Sequence, residues 1–385
     1  MQPTGILEKE KATNPLKALS KFGQSVWLDY IRRDLIESGE LKRLIEDDGL
    51  AGMTSNPSIF EKAIVESKYY TDLLKDLARR KDLDAAGRYE LLAIRDIQDA
   101  ADALRPVYQS TRRRDGYVSL EVSPLLAHDT EDTLKEARRL WKAVGRENVM
   151  IKVPGTPEGI PAFEQLTSEA INVNVTLLFA QEVYEKVAES YIAGLEKLAA
   201  RGGDVSKIAS VASFFISRID TLVDSIVQER LKTAADRDRA SLESILGKVA
   251  IANGKQTYQR YLRIFRGERW EQLAKQGART QRVLWASTST KNPKYRDVMY
   301  VEELIGADTV NTMPPATMDA YRDHGQARAS LTEGVESANQ TMEKVGRLGI
   351  SMKEVTDKLT DDGVRLFADS FAKLLQAVDA TSKAN

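Results

Sequence analysis

Along the chain, short apolar runs alternate with longer stretches whose apolar positions recur at helical spacing. The runs that read as strands are SVWLDYI (25–31), LAGMTS (50–55), YVSLEVS (117–123), VMIKVP (149–154), INVNVTLLF (171–179), IASVASFF (208–215), RVLWAST (282–288) and DTVNTM (308–313). Between them, EDTLKEARRLWKAVG (131–145) sets Leu134, Ala137, Leu140, Trp141 and Val144 on one helical face. AQEVYEKVAESYIAGLEKLAARGG (180–203) does the same and ends in a glycine pair suited to a helix C-cap. Eight strand–helix repeats predict an α/β protein, a (β/α)8 TIM barrel. Residues 57–116 and 216–280 are too long for single helices and each read as two or three. Residues 330–380 are again helical, with Ser330 and Glu333 spaced as a capping box. Neither long connection has Pro/Gly-rich linkers at its ends, so both are expected as helical insertions on the rim of one barrel domain spanning 1–385.

Three of the runs depart from the continuous aliphatic pattern of a strand buried on both faces. Ser119, Glu121 and Ser123 share one parity of YVSLEVS, Met150 and Lys152 one parity of VMIKVP, and Asn172, Asn174 and Thr176 one parity of INVNVTLL. An antiparallel sheet with one wet face would show the same alternation, but its hairpins need only a few residues and these connections are long. In a barrel the apolar parity packs against the helices and the polar parity faces the axis. Lys152, Glu121, Asn174 and Thr176 then converge toward the C-terminal strand ends, where such barrels place their chemistry.

Composition narrows that chemistry. Of the 385 residues, 42% are apolar and 29% charged, the profile of a globular protein with ample core. Basic and acidic side chains nearly cancel, 56 against 57, which gives no electrostatic reason to expect nucleic acid or an anionic membrane as partner. There is no cysteine, which excludes disulfides, thiolate nucleophiles and Cys-based metal sites, and a multi-His metal site or a Ser–His–Asp triad would have to rest on one of two histidines, His128 and His324. No segment is long and apolar enough for a membrane helix, and MQPTGILEKEKATNPLKALSKFG lacks the apolar core of a secretory signal, so a cytoplasmic protein is expected. What remains for catalysis is Lys, carboxylates, hydroxyls and water.

A lysine within VMIKV is expected to have its charged form disfavoured by desolvation. A neutral amine attacks a ketone or aldehyde and gives a Schiff base that serves as an electron sink. Glu121 is the candidate proton donor for the departing hydroxyl, acting through a water. Asp29, ending the first strand in VWLDYI, is the candidate base for cleaving the adjacent carbon–carbon bond. Asn56 follows the second strand, and Pro57 biases it to an extended backbone with its amide projecting at the strand end. Past the sixth and seventh strands, Ser213 and Arg218 in SFFISRID, and Ser287, Ser289 and Lys291 in ASTSTKN, suit a phosphate site.

Taken together, WLDYI, GMTSNPSIF, LEVSP, MIKVPGTPEGI, INVNVTLLF and SFFISRID closely resemble the transaldolase family, from about residue 14 to residue 375, and the LWAST form of the seventh strand resembles its longer bacterial branch. The resemblance implies a barrel without metal or organic cofactor that moves a dihydroxyacetone unit between sugar phosphates in the pentose phosphate pathway. It implies Lys152 as the Schiff-base lysine, Asp29 as the acid/base of bond cleavage, and Glu121 with Thr176 as the pair holding a catalytic water. It further implies Asn56, Asn174 and Ser213 on the dihydroxyacetone hydroxyls and Arg218 on the phosphate. This chain departs from the family after the seventh strand. In place of a short Ser-x-Arg-Asn pattern it has Ser287-Thr288-Ser289-Thr290-Lys291-Asn292, so Lys291 replaces an arginine and binds as a point charge rather than a fork. The nearest alternative is a fructose-6-phosphate aldolase releasing dihydroxyacetone to water. In that branch the positions of Glu121 and Phe215 are usually Gln and Tyr, which favours the transferase here. A monomer and a homodimer are both compatible with the sequence.

Overall fold

All eight apolar runs form strands, and each strand pairs in parallel with the next. A computed structural model describes residues 14–383; residues 1–13, which bear on the reading of the N-terminus, lie outside the described residues. The strands are β1 (Gln24–Asp29), β2 (Leu50–Thr54), β3 (Tyr117–Glu121), β4 (Val149–Pro154), β5 (Val173–Leu178), β6 (Ser210–Phe215), β7 (Arg282–Ala286) and β8 (Thr309–Met313). Their order is sequential, and β8 closes onto β1, giving the expected (β/α)8 barrel. Several strands stop short of the apolar run that announced them. After β3, Ser123 caps a 3-10 turn at Pro124–Leu126, and after β7, Ser287 turns to a left-handed φ of 55°. Apolarity continues into these loops because they too are packed against the barrel.

The long connections are helical, with one difference in number. Residues 57–116 hold three helices, Pro57–Glu66, Tyr69–Ala78 and Ala85–Ser110. Residues 216–280 hold four rather than two or three: Ser217–Leu231, Asp236–Glu243, Val249–Ile264 and Glu268–Lys275. The helical spacing of apolar residues carries across the breaks and hides them. The capping box at Ser330 and Glu333 does not form. Ser330 sits in a buried 3-10 turn where its Oγ accepts from the Ile305 amide at 3.1 Å, and Glu333 pairs with Arg328 at 3.1 Å. The helix starts later, at Val335, after Gly334. The final helix, Met352–Lys383, packs on Pro57–Glu66, where Ser58 donates to Ser370 at 2.7 Å. Among the described residues no helix is long and apolar enough to cross a membrane.

The N-terminal end of the barrel is plugged by a buried ion pair. Arg282, opening β7, meets Asp115, just ahead of β3, at 2.8 Å, and both are under 9% exposed. Ser25 Oγ (2.7 Å) and Trp27 Nε1 (3.1 Å) also donate to Asp115. Burial alone would raise the Asp115 carboxyl, but the Arg282 charge and these hydrogen bonds outweigh it and hold the carboxyl below its ordinary value. A carboxyl lowered on folding adds stability above its unfolded pKa and loses it as pH falls through the folded value. Asp115→Ala is therefore expected to destabilise the fold by about 3–5 kcal/mol at neutral pH, since it strands a buried guanidinium. Urea unfolding measures this, and the difference from the parent protein should shrink on acidification below pH ~4.

Candidate active site

Parallel register assembles the polar layer at the other end of the barrel. Glu121 on β3 lies beside Lys152 on β4, Lys152 beside Asn174 on β5, and Asp29 on β1 beside Thr54 on β2. Because side chains alternate between faces, this register turns the whole set toward the axis. Lys152 is 4% exposed and has Glu121 Oε2 at 3.4 Å. Its Nζ donates to the Ser55 carbonyl at 3.1 Å and lies 5.8 Å from the centre of the Phe367 ring. The aliphatic neighbours in VMIKV face the other way, so the ammonium meets a carboxylate and a carbonyl rather than the apolar surroundings its sequence suggests.

The remaining polar groups hold one another. Thr54 Oγ1 donates to Asp29 Oδ1 at 2.6 Å and is 2.7 Å from Thr312 Oγ1. Ser213 donates to Asn174 Oδ1 at 2.7 Å, Asn174 Nδ2 to Ser119 Oγ at 3.0 Å, and Ser55 to the Ser119 carbonyl at 2.7 Å. Thr176 Oγ1 is buried without a hydrogen-bond partner among the described residues, which is uncommon for a buried hydroxyl. Burial raises the Asp29 carboxyl, opposed by the charge of Lys152 and then by the Thr54 hydrogen bond. Burial raises Glu121 as well, against the opposing pull of Lys152.

Above this layer opens a cavity of about 440 Å³. Asp29, Asn56, Lys152, Thr176, Ser213, Arg218, Ser287 and Lys291 all line it. Glu121 and Asn174 do not. Asn174 lies beneath, joined through Ser213, and Glu121 faces a second cavity of about 290 Å³ behind the β3 end. Asn56 borders both cavities. Its backbone is extended as expected, but its amide does not simply project: Oδ1 caps the helix Pro57–Glu66 by accepting from the Ile59 amide at 3.0 Å. Its Nδ2 group donates to no residue among those described and is left to meet a ligand. Asp29 is bonded to Thr54 and caps no helix.

One side of the mouth is cationic. Arg218 has no hydrogen-bond or ion-pair partner among the described residues, and its guanidinium lies over the Phe215 ring, 5.1 Å from the centroid. Lys291 donates to Ser289 at 2.7 Å, and burial together with the nearby Arg218 and Lys62 charges lowers its pKa. Such a group of like charges suits an anion. Sequence reasoning missed Lys62, from the first insertion, and Phe367, from the C-terminal helix, which both line the cavity. Each sits on an ordinary amphipathic helix, and only tertiary packing brings it to the mouth. The close seat of that last helix relies on Gly363, where a Cβ would come within 2.8 Å of Leu177 Cδ2. No cluster of three His, Cys, Asp or Glu residues placed to hold a metal occurs among the described residues.

The chain is similar to known proteins along nearly its whole length. The profile of the family described as "Transaldolase/Fructose-6-phosphate aldolase" matches residues 26–378. The chain is 48% identical over 375 residues to a protein named transaldolase from Trichodesmium erythraeum, covering 96% of this chain and 98% of that one. It is 49% identical over 372 residues to transaldolase 2 of Nostoc punctiforme, covering 96% and 97% respectively. It is 48% identical over 365 residues to transaldolase of Thiobacillus denitrificans, covering 95% and 99%.

The Thr54 hydroxyl lowers the Asp29 carboxyl, so removing it has a definite sign. Thr54→Val is expected to raise the pH at which Asp29 loses its proton, as followed by carboxyl-carbon NMR of aspartate-labelled protein. An unmoved or lowered titration would contradict the bonding described here.

Proposed function

The chain belongs to the transaldolase/fructose-6-phosphate aldolase family, and from that premise we propose that it moves a dihydroxyacetone unit from sedoheptulose 7-phosphate to glyceraldehyde 3-phosphate, reversibly giving erythrose 4-phosphate and fructose 6-phosphate. It is an enzyme of the transaldolase type, and its substrates are sugar phosphates. The observation that carries the finer reading is one amine set 3.4 Å from a buried carboxylate, in a cavity that also holds a second buried carboxylate and a cationic rim.

In this reading Lys152 gives a proton to Glu121 and attacks the ketose carbonyl as a neutral amine. A carboxyl raised by burial is suited to taking that proton and returning it to the departing hydroxyl. We assign a relaying water to Glu121 and the unpartnered Thr176 hydroxyl, as the family resemblance implies. Water leaves and an iminium forms. Asp29 then takes the proton of the hydroxyl next to the bond that breaks, the bonding electrons enter the iminium, and an enamine remains on Lys152 while an aldose phosphate departs. The enamine attacks the acceptor aldehyde, Asp29 returns its proton to the new hydroxyl, and hydrolysis frees the lysine. A raised Asp29 serves both directions, because its proton affinity lies nearer neutrality than an ordinary aspartate's.

Asn56 Nδ2 and Ser213 hold the hydroxyls of the three-carbon unit, with Asn174 orienting Ser213, and Arg218, Ser287 and Lys291 hold the phosphate. Asn174 contributes from below the cavity, with one N–H already given to Ser119. Lys62 and Ser289 extend the phosphate end.

Lys152→Ala is expected to lower turnover more than about a thousandfold while the protein still folds, because the nucleophile is lost and the buried carboxyls of Glu121 and Asp29 can take up protons once its charge is gone. Lys152→Arg should be equally inactive, since a guanidinium stays protonated and forms no imine. The test of transfer is release of glyceraldehyde 3-phosphate from fructose 6-phosphate, with and without erythrose 4-phosphate. Release that requires the acceptor supports transfer, and equal release without it would make the protein an aldolase.

A further inference from the structure

The helix Ser217–Leu231 carries Arg218 in its first turn, and three other residues of that helix, Ser217, Asp220 and Asp224, recur at the three- and four-residue spacing of a single face. That face does not meet the barrel axis. It meets the loop that follows β7, which carries Ser287, Ser289 and Lys291. At the near end of the loop the Ser217 amide donates to the Ser287 carbonyl at 3.0 Å, and the two hydroxyls are 3.0 Å apart. At the far end Tyr295 donates to Asp224 Oδ2 at 2.6 Å and Tyr300 to Asp220 Oδ2 at 2.9 Å. Within the loop, Thr290 Oγ1 donates to the Arg296 and Asp297 carbonyls at 3.0 and 3.1 Å, tying the lysine-bearing half to the tyrosine-bearing half.

The second rim insertion completes the clamp. The Ala250 amide donates to Asp220 Oδ1 at 2.8 Å and the Gly247 amide to Asp224 Oδ1 at 3.1 Å. Gly247 has φ +67°, and a Cβ there would stand 2.7 Å from Tyr295 Cζ, so the tyrosine ring lies directly on the glycine. Asp220 is 1% exposed. A buried carboxylate such as Asp220 outside the reacting layer is costly unless its oxygens are used, and here all four oxygens of Asp220 and the half-buried Asp224 accept a hydrogen bond from the β7–β8 connection or the insertion.

We propose that Asp220, Asp224, Tyr295 and Tyr300 are positioning residues for the substrate phosphate: they staple the loop bearing Ser287, Ser289 and Lys291 to the helix bearing Arg218, and so fix the span between the two cationic halves of the site. A lysine at the end of a longer loop has more freedom than an arginine on a short one, and this bracing removes it before substrate binds. The inference rests on the reading of Arg218 and Lys291 as phosphate ligands.

The test is steady-state kinetics of the full chain, comparing the parent protein with Tyr295→Phe and Asp224→Asn. Fructose 6-phosphate is the donor, and the acceptor is either erythrose 4-phosphate or unphosphorylated glyceraldehyde. Tyr295→Phe keeps the ring on Gly247 and removes only the hydroxyl. It is expected to raise KM for the phosphorylated substrates by roughly ten-fold, the effect of one hydrogen bond to a charged group. The limiting rate and the KM for glyceraldehyde should stay within about two-fold, the scatter of a neutral change, and Asp224→Asn should behave alike. Unchanged KM values in both variants, or a loss shared equally by glyceraldehyde, would overturn the proposal. Inorganic phosphate as a competitive inhibitor separates the underlying reading. If it fails to compete in the parent protein, and Arg218→Gln leaves the phosphorylated KM unmoved, the phosphate site itself is misplaced rather than its brace.

Discussion

An ammonium sealed in the axis of a β-barrel has to be met by charge and hydrogen bonds, and the C-terminal half of this barrel is arranged around that requirement. Lys152 finds a carboxylate at 3.4 Å and a carbonyl at 3.1 Å. Burial raises the carboxyls of Glu121 and Asp29, and the same positive charge opposes that penalty in part. The three groups thus sustain one another in a place water barely reaches. Carboxyls whose proton affinity is raised by burial beside an amine are suited to the proton transfers of reversible imine chemistry. The fold supplies this through register alone, since adjacent parallel strands carry Glu121, Lys152 and Asn174 at one level.

The sequence made the barrel and its reacting layer readable for the same physical reason. A strand buried on both faces has no ordinary use for Lys, Glu or Asn, so their appearance on one parity of otherwise apolar runs marks an inward-facing functional layer. Lys152, Glu121 and Asn174 were legible in that way, and Asp29 by its place at the end of the first strand. Asn56 was legible by position but not by state, because Pro57 indicates an extended residue without revealing that its side chain caps the following helix. The capping pattern at Ser330 misled because burial against Ile305 claims the hydroxyl first. Lys62 and Phe367 carried no local signal, and neither did the contacts of Asp220 and Asp224. Those depend on how insertions and the last helix close over the barrel mouth, a long-range outcome that helical periodicity does not encode.

The two ends of the barrel divide stability from chemistry. At the N-terminal end, Arg282 and Asp115 form a closed pair in which the charges are consumed by one another. At the C-terminal end, Arg218 is left without a partner among the described residues and faces a cavity. The same guanidinium chemistry makes a plug where it is satisfied, and where it is not it leaves a half-buried charge facing the cavity, open to an anion. The elements added to the barrel then act on the cavity end: the first insertion contributes Lys62, the C-terminal helix places Phe367 near Lys152, and the second insertion bonds to the helix and tyrosine that hold the loop of Lys291.

The central claim is that Lys152 forms the covalent link to substrate. Borohydride reduction in the presence of fructose 6-phosphate, followed by peptide mass spectrometry, tests it most directly. The account predicts irreversible inactivation and a reduced three-carbon dihydroxyacetone adduct on the peptide containing Lys152. Full activity after reduction, or an adduct confined to another lysine, would contradict it.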